Sequence, residues 1–149
     1  MEIDAQEKGL LAGEIKILAE RIRGEAGDGY ARLLEAVEAG NVPEELIGYL
    51  ERLLEMGFET GRIGKIYGRE GEQAFLRVYH KTLRGARILN LVKETNRSLT
   101  ALKDQVIQDI SLSLKSPGAY RMVIDTNTCQ LTLGIDPDGA RIENVEMGF

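Results

Sequence analysis

The chain predicts an α+β fold: amphipathic amino-terminal helices, then a long helix packed on a four-stranded antiparallel β-meander. Three observations carry this. Apolar residues recur at helical spacing from Leu10 to Leu102, the period changes to two near Ile107, and turn-forming residues then punctuate the chain at short intervals. At 149 residues, 43% apolar and 29% charged, the chain is long enough to bury a core.

The first helix is read up to about Arg23 from Leu11, Ile15, Leu18 and Ile22, with Leu10 and Ile17 widening the stripe. "GEAGDG" breaks it, and Asp28 caps a second helix carrying Leu33, Leu34 and Val37 that stops at Gly40. "NVPEEL" starts a third: Pro43 suits the first turn, Glu44 and Glu45 complement the helix dipole, and Leu46, Ile47, Leu50, Leu53 and Leu54 form the stripe. Gly57 fits just beyond its end. Residues 1–57 thus read as a helical region of three helices.

The next stretch, "GFETGRIGKIYGREG", sets Gly57, Gly61, Gly64, Gly68 and Gly71 at steps of four and three, with cations following three of them. Residues 58–71 are expected to form a glycine-rich basic connector. As a helix, the stretch would line the five glycines along one close-packing face, at about 1 kcal/mol for each interior glycine. It matches neither the Walker loop nor the dinucleotide fingerprint, so any anion binding here would be generic.

Residues 72–149 are expected to hold helices and then the meander, at 107–147. "EQAFLRVYHKTLR" places Phe75, Leu76, Tyr79 and Leu83 on one face, and Gly85 marks an end or kink. Ile88, Val92, Thr95, Leu99, Leu102 and Val106 then form a heptad seam, expected to pack on the chain's own sheet. "ISLSLK" reads as a half-buried strand, followed by "AYRMVID", "CQLTLGI" and "ARIENVEM", joined by "SPG", "TNT" and "DPDG" turns.

The net charge of −5 divides unevenly: −8 over residues 1–60, +7 over 61–103 and −4 over 104–149. Either the basic middle is neutralised within the fold or it faces an anion. Arg62, Lys65, Arg69, Arg77, Lys81, Arg84 and Arg87 are the anion-binding candidates, with Lys93, Arg97 and Lys103 beyond them; Tyr67 and Tyr79 are available for stacking.

Other chemistries find little footing. His80 and Cys129 are the only histidine and cysteine, too few for the usual zinc sites and a poor basis for a nucleophilic dyad. No cofactor or metal is expected. "GIDPDGARIENV" fails the calcium-loop pattern, because aligning its second glycine leaves Gly134 and Val145 at ligand positions. No apolar run approaches the ~20 residues of a membrane span, and the amino terminus lacks a secretory pattern, so a cytoplasmic setting is expected. The expected function is a small protein-interaction module without catalytic activity, homodimeric through the apolar stripes of its amino-terminal helices. The alternatives are a polyanion or nucleic-acid binder using residues 62–97, and an enzyme or small-ligand binder with a cleft between helices and sheet.

Overall fold

A computed structural model describes residues 1–148. The chain divides into two compact units, Met1–Ala86 and a second from Arg87 onward. The first unit contains α1 (Ala5–Arg21), α2 (Glu25–Glu38), α3 (Glu44–Glu59) and α4 (Arg62–Lys81). Helix α5 (Leu83–Leu99) starts at the end of this unit and supplies the only long helix of the second. After a 3-10 turn at Thr100–Leu102 come β1 (Ile107–Ser116), β2 (Ala119–Thr126), β3 (Cys129–Asp136) and β4 (Gly139–Met147), an antiparallel meander in the order β1-β2-β3-β4. The α+β class, the long helix and the meander follow the sequence pattern.

The first unit is a closed four-helix arrangement: α1 packs on α2 and α4, and α3 packs on α2 and α4. Leu11, Ile15, Leu33, Val37, Leu50, Leu54, Ile63, Phe75 and Val78 meet in one core. Fully burying each such apolar side chain contributes about 1.5–3 kcal/mol against chain entropy. Local chemistry fixes the ends. Asp4 and Glu7 form a reciprocal capping box on α1. Gly40, at φ 84°, ends α2 with its N–H on the Val37 carbonyl.

Two boundaries differ from expectation. Helix α2 begins at Glu25 with Gly24, at φ 77°, as its cap, so Asp28 lies inside the first turn, where its charge still suits the dipole. Helix α3 continues through Gly57 to Glu59, because Gly57 is buried against Ile63 and its lack of a side chain is needed for packing, not for stopping the helix.

The expected connector at 58–71 is likewise helical from Arg62. It is one helix broken at Gly68, whose φ of 65° and ψ of −168° lie in a region open almost solely to glycine. The kink separates a short segment, Arg62–Tyr67, from the longer run that carries Phe75 and Val78. Helix α4 then ends at Thr82, whose buried hydroxyl donates to the Tyr79 carbonyl at 2.8 Å and accepts the Gly85 N–H at 3.1 Å, capping α5. A side chain at Gly85 would sit 1.9 Å from the Tyr79 carbonyl oxygen, so only glycine fits this tight junction.

In the second unit, α5 lies along β3 and β4. Thr95 is buried and donates to the Ala140 carbonyl at 2.8 Å, Ile88 and Leu91 reach Gly139, and Leu99 and Leu102 pack on Ile124, Leu131 and Leu133. The expected seam therefore meets the sheet at Ile88, Thr95, Leu99 and Leu102, while Val92 is 38% and Val106 65% exposed.

Candidate functional site

The basic segment resolves into paired and unpaired cations. Arg62 Nε donates to Glu14 at 2.9 Å and its Nη2 to the other carboxylate oxygen at 3.3 Å, while the Tyr67 hydroxyl donates to Glu14 at 2.7 Å. Lys81 Nζ lies 2.6 Å from Glu7, and Arg84 Nε lies 3.0 Å from Glu55. Lys65, Arg69 and Arg77 are exposed on α4, and Arg87 is exposed at the start of the second unit. Three of the seven candidate cations are thus met by acids of the amino-terminal helices.

The electrostatics of these pairs are those of structural contacts. Burial pushes the Glu14 carboxyl up, but the hydrogen bonds from Arg62 and Tyr67 and the Arg62 charge outweigh it and leave it below the ordinary carboxylate value. Burial, followed by the bond to Glu14, raises the Tyr67 hydroxyl to about 12. Tyr79, half-buried and bonded to Glu55 at 2.8 Å, is raised similarly to about 12. Both tyrosines are anchored by one end and packed by the ring, Tyr67 against Phe75 and Tyr79 against Phe58.

The five glycines do not form one seam. Gly57 and Gly71 are the close approaches, where a Cβ would sit 2.6 Å from Ile63 and 2.2 Å from Tyr67. Gly61 and Gly68 instead supply positive φ in open space, and Gly64 meets only the Glu72 carboxylate at 3.7 Å. The break at Gly68 turns the helical face that the spacing implied.

No buried side-chain polar atom among the described residues lacks a hydrogen-bond partner, and they contain no group of three or more metal-ligating side chains. A cavity of about 190 Å³ beside Glu14, Leu18, Leu53 and Arg62 is smaller than the roughly 300 Å³ at which ligand pockets begin, and its carboxylate is already engaged. His80 and Cys129 lie in different units; Cys129 is buried, with its sulfur 3.4 Å from the Thr126 hydroxyl. No helix among the described residues is long and apolar enough to cross a membrane.

The feature that stands out is the sheet. Its register puts Ile110, Ile124, Leu131 and Val145 in one row across the strands, and Leu112, Met122, Leu133 and Ile142 in the next. One face is therefore apolar throughout, and the other carries Asp109, Arg121, Asp125, Gln130 and Glu146. The apolar face is covered over β3 but not over β1, which was expected to be half buried. Ile107, Ile110, Leu112 and Leu114 are 51%, 53%, 60% and 66% exposed. One helix about 10 Å wide cannot span four strands at ~4.8 Å spacing, so the strand farthest from it is left bare.

Comparison of the chain with protein-family models, curated proteins and solved structures finds no match.

Proposed function

We propose that this chain is a small protein-interaction module that self-associates through the uncovered apolar edge strand of its meander. The supporting observation is the row Ile107, Ile110, Leu112 and Leu114, all more than half exposed on an edge strand. Together with Tyr120 beside them, at 42% exposure, they make a contiguous run of exposed apolar side chains, the kind of surface on which partners dock. The expected route through the amino-terminal helices draws less support, since their stripes are used up in the four-helix core. The lone buried cysteine suits the reducing conditions of a cytoplasmic setting.

Light scattering on a sizing column tests this reading. The wild-type chain should show a dimeric mass in the micromolar range and Leu112→Lys a monomeric one; a wild-type monomer at several hundred micromolar would sink it. Polyanion binding is the weaker reading, because acids already hold Arg62, Lys81 and Arg84. Its mark would be heparin binding that falls steeply with salt and is lost on neutralising Lys65, Arg69 and Arg77.

A further inference from the structure

Resting on that reading, we infer that the occupant of the β1 edge is β1 of a second copy, paired antiparallel about a two-fold axis at Leu112. Strand β1 is an outer strand, and its pairing with β2 is regular from Asp109 to Leu114, with irregularities only outside that stretch. Edge strands are ordinarily protected by proline, inward charge or bulges, and between Ile110 and Leu114 this one has none. The other edge, β4, is broken near its middle, opposite Thr132 and Leu133.

The register follows from the sequence of the strand itself. Paired residues in antiparallel strands point to the same face, so only a pairing that matches even with even positions keeps the two apolar rows on one side. Centring on Leu112 sets Leu112 against itself on the axis and, twice each by symmetry, Ile110 against Leu114, Ser111 against Ser113, and Asp109 against Lys115. Shifting the centre by one residue either way sets Asp109 opposite Ser113 or beyond the strand, and loses the charge match.

The charges favour this partner for a second reason. Within one copy Asp109 faces Asp125 across the ladder, a like-charge pair that costs stability. Lys115 lies on the same polar face, where it and Arg121 both hold Glu143, at 3.0 and 3.1 Å. Lys115 of a second copy brought opposite Asp109 offsets the repulsion from Asp125. The result is a continuous eight-stranded sheet with both apolar rows joined on one face.

Charge reversal tests the register. Asp109→Lys and Lys115→Glu should each raise the dimer dissociation constant on the order of tenfold, and mixing the two variants should restore tight association as a heterodimer, read by sedimentation equilibrium and native mass spectrometry. Because Lys115 also holds Glu143, melting curves of each variant check that the fold persists. An independent readout is Leu112→Cys in a Cys129→Ser background, which should oxidise to a disulfide-linked dimer where Ile110→Cys does not. A wild-type dimer that ignores both reversals and fails to crosslink at position 112 overturns this pairing while leaving self-association standing. A wild-type monomer, or an edge taken by a different protein, removes the second-copy pairing altogether.

Discussion

Glu14 on α1 and Arg62 on α4, 48 residues apart in sequence, are joined by two hydrogen bonds, and Tyr67 donates a third to the same carboxylate. About two turns earlier on α1, Glu7 meets Lys81 at the far end of α4. These contacts use two cations that composition alone leaves looking available for a ligand.

Replacing Glu14 by alanine is expected to cost about 1–3 kcal/mol, since it strands the Tyr67 hydroxyl and removes the partner of a guanidinium that is itself 41% exposed. Denaturant titration checks this, and Glu14→Gln, which can still accept from Tyr67, should lose less.

The same group makes stability fall in acid. The Glu14 carboxyl is held below its ordinary 4.5, so its contribution is present above that value and is lost as pH falls through the folded-state value. Melting temperature against pH should drop more steeply below pH 5 in the wild type than in Glu14→Gln.

Tyr67 and Tyr79 give the alkaline counterpart. Their hydroxyls are raised from 10 to about 12, so the stability they contribute is complete below pH 10 and disappears as pH rises through 12. Ultraviolet titration of the phenolate band should show late-ionising tyrosines, and Glu14→Gln should bring Tyr67 to lower pH.

Gly68→Ala isolates backbone strain from packing. Nothing lies within 4 Å of the added methyl, yet φ 65° with ψ −168° excludes an L side chain, so a loss of about 1–3 kcal/mol is expected. Gly71→Ala should lose a comparable amount for the opposite reason, a clash with the Tyr67 Cβ at 2.2 Å. Thermal melting of both variants separates a kink that is required from one that is merely tolerated.

Leu112→Lys and Leu131→Ala should divide the sheet's apolar face into surface and core. Leu131 is 1% exposed and its truncation is expected to cost about 2–5 kcal/mol, whereas the change at Leu112, 60% exposed, should leave monomer stability within about 0.5 kcal/mol.

Much of the fold was legible because period and punctuation agree: the strands after Ile107 alternate, their turns carry Pro, Gly and Asn, and α3 opens on Pro43 and two glutamates. What stayed hidden depended on distant partners. Glu7 and Glu14 occupy stripe positions with Leu11 and Leu18, seven residues apart, and that spacing was the available signal that α1 buries two acids. Their cations lie on a helix that the glycines disguised, since spacing cannot distinguish Gly57 and Gly71, which pack, from Gly61 and Gly68, which bend. Alternation on β1 likewise shows an apolar face without showing how far α5 extends over it.

The paired acids also make α4 intolerant of changes in length. A helix turns about 100° per residue, so inserting one residue between Tyr67 and Lys81 would swing Lys81 away from Glu7 while Tyr67 remained fixed on Glu14. Length variation in this protein should therefore collect in exposed turns such as Pro137–Asp138 and be absent from the interval that the two glutamates measure out.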